Sequence, residues 1–232
     1  MERQFDFELE KLRDRILKMS SLVDEQVELA IKTVEEENHE YAALVLKREE
    51  RVDKYDVKIE KICQRIIALS QPVAMDLRLI VSAITIDTNL ERIGDIAVNI
   101  SQNFLLMKGK PSFIDRSRFF DMAKIVREML KNAIDSFIYN DPRLAQRVIQ
   151  TDKVLDNFNK ENHKILIDIM KEDSSNIDAA VALLVICRQI ERIGDHAANI
   201  AEDVFFIVEA QMIKHKYEKF LFPEETEDEE EV

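Results

Sequence analysis

Glycine and proline are scarce in this chain, with 3 and 4 residues among 232. So few turn formers cannot supply the many reversals of a β sandwich or barrel. Cysteine is nearly absent as well. Cys63 and Cys187 stand far apart with apolar neighbours, so they read as reduced, buried thiols rather than a disulfide framework. Long hydrophobic runs are missing too: the longest, Ala179 to Cys187, is far too short to span a bilayer. Positive charge is in deficit, and a net charge of −13 excludes the basic face that nucleic acid requires. It also excludes simple electrostatic adhesion to an anionic membrane. No glycine-rich phosphate loop, nucleophile elbow or supported Ser/Cys-His arrangement occurs. The protein is therefore not expected to be an enzyme. Met1-Glu2-Arg3-Gln4 is not the start of a signal peptide, and a cytoplasmic location is expected.

Acid is plentiful. Seven of the negatives, Glu224, Glu225, Glu227, Asp228, Glu229, Glu230 and Glu231, follow Pro223, and residues 223–232 read as a disordered acidic tail. The chain stays acidic without them. A cation is the natural complement of such a surface.

Helical periodicity accounts for nearly everything else. Leu9, Leu12, Ile16, Met19, Val23, Val27, Ala30 and Val34 mark a first helix from Phe5 to about Glu37, at alternating steps of three and four. Val52, Tyr55, Ile59, Ile62, Ile66 and Leu69 mark a second, from Tyr41 to Ser70, which Pro72 ends. A third runs from Val73 to Lys108 on Leu79, Ala83, Ile86, Leu90, Ile93, Ala97, Ile100, Phe104 and Met107. Gly109-Lys110-Pro111-Ser112 then interrupts the pattern. Three more helices follow, from Asp115 to Tyr139, from Pro142 to Lys171, and along Leu183, Ile186, Ile190, Ile193, Ala197, Ile200, Val204 and Ile207. The expected fold is all-α: two tandem, pseudo-twofold related antiparallel three-helix bundles, residues 1–108 and 109–222, ahead of the tail.

The repeat is explicit in one motif. Glu91-Arg92-Ile93-Gly94-Asp95 recurs as Glu191-Arg192-Ile193-Gly194-Asp195, 100 positions later. Glu and Asp four apart share one helix face, and the glycine between them costs about 1 kcal/mol against alanine. Its presence in a glycine-poor chain implies a close approach by a neighbouring backbone or a ligand. At about 100° per residue, Glu91 and Asp95 lie about 140–180° from the apolar seam, so they are expected to point outward.

Folding the second helix back on the third, with a turn near residue 71, sets Glu49 beside Ile93 and Asp53 beside Asn89. A turn near 173 sets Asp152 beside Gly194 and Asp156 beside Ile190. Four carboxylates then converge in each half: Glu49, Asp53, Glu91 and Asp95, and Asp152, Asp156, Glu191 and Asp195. Asn199 and Glu202 extend the second row and Asn99 the first, while Asp56 lies one turn on as an additional ligand. So many like charges repel unless protonated or neutralised, and a multivalent cation with oxygen ligands neutralises them economically. The bland account is a solvated face paired to Arg92 and Arg192, but one arginine per half cannot neutralise four acids. His39, His163, His196 and His215 share no ligand spacing and read as surface residues. The single Glu36-x-x-His39 lacks the second copy that a di-iron bundle needs. Three function classes stay open: a metal-binding regulatory adaptor, a metal-dependent hydrolase or oxidase, and a purely structural helical scaffold.

The doubled Leu90-Glu91-Arg92-Ile93-Gly94-Asp95 and Ile190-Glu191-Arg192-Ile193-Gly194-Asp195 resemble the PhoU family of phosphate-uptake regulators. So do Gln71-Pro72, Asp76-Leu77-Arg78 and the opening Phe5-Asp6-Phe7-Glu8-Leu9. The resemblance covers nearly the whole chain except the tail. It implies a cytoplasmic homodimer, peripheral to the inner face of the cell membrane, that represses the phosphate-starvation response. Its implied partners are the ATPase of a phosphate-specific ABC transporter and a sensor histidine kinase. It also implies multinuclear metal clusters, iron among them, held by Glu49, Asp53, Glu91, Asp95, Asp152, Asp156, Glu191 and Asp195. The first half departs from the pattern where Ser101-Gln102 stands against Glu202 in the second.

Overall fold

The computed structural model describes residues 2–107 and 109–211. The acidic tail and His215 lie outside the described residues. Six helices follow one another: α1 (Glu2–Glu35), α2 (His39–Ser70), α3 (Ala74–Leu106), α4 (Phe119–Tyr139), α5 (Pro142–Glu172) and α6 (Ile177–Glu209). Short 3-10 turns at Ile114–Arg116 and Ser174–Asn176 precede α4 and α6.

Local chemistry sets the breaks. Asn38 caps α2 by accepting from Glu40 N at 2.9 Å, so this helix starts two residues earlier than the seam suggests. Gln71 takes a left-handed conformation at its end, ahead of Pro72. Asp141 caps α5, accepting from Arg143 N and Leu144 N, with Pro142 at the first helical position. The fourth helix starts later than its seam implies. Ser117 Oγ accepts from Phe119 N and Asn162 Oδ1 from Arg118 N, holding the preceding backbone in a separate turn over buried Phe113 and Ile114.

Helices α1–α3 form one antiparallel bundle and α4–α6 the other. The seams of α3 and α6 are buried from Leu79 to Met107 and from Leu183 to Ile207. Leu69 departs from expectation: in the last turn of α2 it is 74% exposed. The halves join chiefly through α3 and α6, which run antiparallel, and secondarily through α1 and α4. Arg78 Nε donates to Ile207 O at 3.5 Å, and Arg127 pairs with Glu28 at 3.3 Å. The linker is fastened as well: Lys110 N donates to Glu37 Oε1 at 2.7 Å, and Gly109 holds φ +100° beside the same carboxylate.

Candidate metal centres

Each motif glycine faces the neighbouring helix of its own bundle. A Cβ added at Gly94 would lie 3.3 Å from Gln26 Oε1 and 3.4 Å from Glu49 Oε2. One added at Gly194 would lie 2.3 Å from Leu155 Cδ2 and 3.7 Å from Asp152 Oδ1. The close approach inferred from the sequence is thus made by side chains of α1 and α2, and of α4 and α5. The register also matches, with Glu49 against Gly94 and Asp152 against Gly194.

In the first half Glu49 sits deepest. Its Oε2 accepts from Gln26 Nε2 at 2.7 Å, while Oε1 is buried without a partner. Burial raises its pKa, Gln26 opposes the rise, and the charges of Asp95, Asp53 and Glu91 add to it. Glu91 is raised for the same reasons, burial first and then Asp95. Arg92 approaches Glu91 at 3.6 Å and Asp95 at 3.4 Å from an exposed position, where an ion pair contributes little.

The second half is tighter. Asp156, Glu191 and Asp195 bring one carboxylate oxygen each within 4.8 Å of the others, the one such group of three found among the described residues. Burial, then the charges of Asp195, Asp156 and Glu202, pushes Asp152 up to about 7. Burial and Asp195 push Glu191 up to about 7 against the pull of Arg188. Asp195 is raised too, by burial and by Asp156. These mutual effects place Glu202 among the acids, as its position in the row implies.

Three expectations need correction. Glu191 does not point outward: it is 6% exposed, because it turns into the groove against Asp156 rather than away from the bundle. Its arginine partner is Arg188, one turn earlier, whereas Arg192 donates to Gln189 Oε1 at 3.1 Å. His196 is not a surface residue. Its Nδ1 lies 2.9 Å from Asn89 Oδ1 across the α3–α6 junction, and burial lowers its pKa, with Arg192 and Arg92 adding to the effect. Asn199 Nδ2 also donates to Asn89 Oδ1, at 3.3 Å, which turns its amide nitrogen toward α3. Asn99 is half-buried and its backbone oxygen accepts from Asn103 Nδ2 at 2.7 Å, while Asp56 is raised by burial and then by the charge of Glu60, with Asp53 adding to the rise.

Sequence reasoning missed Gln26 and Asp87. Gln26 interrupts the apolar surroundings of Val23 and Val27, a signal that a buried amide serves something nearby. Asp87 is legible as one more step of the same spacing, Asp87, Glu91, Asp95, and it is 1% exposed.

The donor set suits a hard cation. It consists of carboxylate oxygens, and two of them, Glu49 Oε1 and Glu191 Oε2, are buried with no partner in the protein. Glu49, Asp53, Glu91 and Asp95 would hold it in the first half, and Asp152, Asp156, Glu191 and Asp195 in the second.

Comparison with known proteins bears on the fold of the two bundles. The family model described as the PhoU domain matches residues 16–104 and again 119–204. The phosphate-specific transport system accessory protein PhoU homolog of Aquifex aeolicus is 36% identical over 212 residues, covering 91% of this chain and 96% of that protein. The PhoU protein of Serratia marcescens is 35% identical over 215 residues, covering 91% and 87%. The crystal structure of PhoU from Pseudomonas aeruginosa superposes with a TM-score of 0.84 at 32% identity, over 89% of this chain and 100% of that one. The phosphate transport system regulatory protein PhoU from Streptococcus pneumoniae gives 0.80 at 26% identity, over 90% and 98%. With both halves matched at these shares, the chain belongs to the PhoU family.

Proposed function

We propose that this protein is an accessory regulator of phosphate transport that binds metal at its two acid clusters and acts by contact rather than by catalysis. The observation that carries the reading is the convergence of Asp156, Glu191 and Asp195, with Asp152 beside them, in a groove between two helices. Such a group is costly to assemble without a cation, since each neighbour opposes the others' ionisation. When bound, a cation supplies charge neutralisation and a crosslink between α5 and α6. In the first half Gln26 holds Glu49 in place, and the open flank of Asp53 and Asp95 leaves that cluster shallower.

The family names supply the context: relatives are accessory proteins of a phosphate-specific transport system. In this reading the chain is a homodimer at the inner face of the cell membrane. It links the transporter ATPase to a sensor histidine kinase and keeps the starvation response off when phosphate is ample. No helix among the described residues is long and apolar enough to cross a membrane, so attachment would run through partners. Iron is the metal that the family resemblance implies, while carboxylate donors by themselves accept Mg2+ or Mn2+ as well.

The pairing of Arg188 with Glu191 favours a second reading, a scaffold whose acids are neutralised from within. Elemental analysis of protein purified without chelator separates the two. Metal in stoichiometric amounts supports the regulator, and metal-free protein of unchanged stability supports the scaffold. A deletion strain tests the regulatory part: starvation genes should stay on in rich phosphate, and normal repression would refute it.

A further inference from the structure

The first bundle keeps apolar surface in water at the end where α1 starts and α2 turns into α3. Phe5 and Glu8 of α1 and Arg65, Ile66, Leu69 and Ser70 of α2 line a groove of about 340 Å³ there. Val73 and Met75, on the way into α3, are exposed like Leu69. Single exposed leucines need no explanation, but several of them beside a groove mark a binding surface. The groove also holds an unmet charge. The Glu8 side chain is 15% exposed, and its Oε2 has no hydrogen-bond partner among the described residues. Lys11 and Arg65 come no closer to the carboxylate than 3.8 and 3.7 Å, which is too long for a hydrogen bond.

One segment of this chain is placed to cover that surface. The contacts of Arg78 with Ile207 and of Asn89 with His196 fix α3 and α6 as antiparallel, so the end of α6 heads toward this end of the bundle. Ala210 turns left-handed and closes the helix. Residues 212–222, Met-Ile-Lys-His-Lys-Tyr-Glu-Lys-Phe-Leu-Phe, follow Gln211 and lie beyond the stretch matched by the family model, which ends at residue 204. They carry three lysines against one glutamate in a chain of net charge −13, and the apolar run stops at Pro223, where the acids begin. Eleven extended residues span about 36 Å, whereas the path from Arg78 back along α3 and through the turn to Ser70 is about 20 Å.

We propose that residues 212–222 dock across this end of the first bundle, with aromatic and aliphatic side chains in the α1–α2 groove and a lysine on Glu8. Such a lysine gives the buried carboxylate oxygen the charge-assisted hydrogen bond it lacks. Tethering favours this occupant over a free one of equal affinity, because a short link sets an effective concentration on the order of millimolar.

Thiol labelling of the full chain tests the proposal, since Cys63 and Cys187 are both buried and Leu69→Cys adds a thiol at the groove. Leu106→Cys, exposed at the opposite end of α3, is the reference. With a maleimide, and after normalisation to the unfolded chain, Leu69→Cys should react about tenfold more slowly than Leu106→Cys. Tyr217→Asp with Phe220→Asp, or Glu8→Gln alone, should bring its rate toward the reference. Equal rates for the two thiols in the parent sequence would overturn the proposal, as would protection that both sets of substitutions leave intact. Protection that fades on dilution would assign the surface to a second copy of the chain, and would overturn it as well.

Discussion

Asn89 Oδ1 accepts from His196 Nδ1 at 2.9 Å, a bond that crosses from α3 of one bundle to α6 of the other. The same oxygen receives Asn199 Nδ2 at 3.3 Å, while Asn89 Nδ2 is spent on Thr85 O within its own helix. One side chain thus satisfies two donors of the opposite half. Asn89→Ala should strand both, at a cost of about 1–3 kcal/mol in urea unfolding. Thr88→Ala, next along the helix but exposed, should cost under about 0.5 kcal/mol. Equal losses would show that the bridge does not hold the halves together.

The two motif glycines should respond differently to a methyl group. At Gly194 the new Cβ meets Leu155 Cδ2 at 2.3 Å, so Leu155 must leave its place in a well-filled core. Gly194→Ala should therefore destabilise by about 1–3 kcal/mol, even after the gain in helix propensity. At Gly94 the nearest atoms are polar and 3.3–3.4 Å away, and a shift of a few tenths of an ångström relieves them. Gly94→Ala should be close to neutral in thermal melting yet disturb the Gln26–Glu49 bond and weaken cation binding in the first half. A melting temperature that falls equally for both variants would contradict this account.

The helices, their pairing and the acid register were legible because they depend on periodicity and on two turns marked by Pro72 and Asp173-Ser174. What escaped was the direction of individual side chains on the flanks of α3 and α6. Asn89, set beside Asp53 by the register, turns instead to the other half, and His196 follows it, because the packing of α3 on α6 is a contact between repeats that no single repeat encodes. Burial of Glu191 escaped for a related reason. A helical wheel gives the angle to one's own core but not how closely a neighbouring helix shelters the flank. Asp87 and Gln26 could have been found: Asp87 continues the spacing of Glu91 and Asp95, and Gln26 puts a polar group amid the apolar surroundings of Val23 and Val27.

Cys187 supplies a pH dependence of known sign. Burial pushes its thiol up to about 12, with a bond to Asn162 opposing the rise only in part. In the unfolded chain the thiol ionises near its ordinary value of about 8.5. Above that pH the unfolded state has lost a proton that the native state keeps. This contribution to stability is whole below about 8.5 and is lost as pH rises toward 12. The melting temperature should fall between pH 9 and 11 less steeply in Cys187→Ala than in the parent, although the variant starts lower by a cavity cost of about 1–2 kcal/mol. The native thiol should also be inert to disulfide reagents at pH 7. Parallel slopes, or rapid labelling of the native protein at Cys187, would refute it.

The acids of the second half give the most direct test of metal binding. Glu191→Gln with Asp195→Asn preserves shape and hydrogen bonding while removing two charges from the group formed with Asp156 and Asp152. Helicity should be unchanged, and elemental analysis should show metal lost from this half alone. Without metal the variant should melt higher than the metal-free parent, because the repulsion that raises Glu191, Asp195 and Asp152 is gone. Arg188 loses its partner in the exchange, but its side chain is 53% exposed and water replaces the pair at little cost. A gain of about 1 kcal/mol corresponds to about 2–4 °C in a chain of this size. The order should invert when metal is supplied, since a cation bound only by the native parent adds about 2.7 kcal/mol at a hundredfold excess over its dissociation constant. If the metal-free variant melts below the metal-free parent, the acids are held by Arg188 and their neighbours rather than repelling one another. The clusters would then be ordinary features of a helical surface.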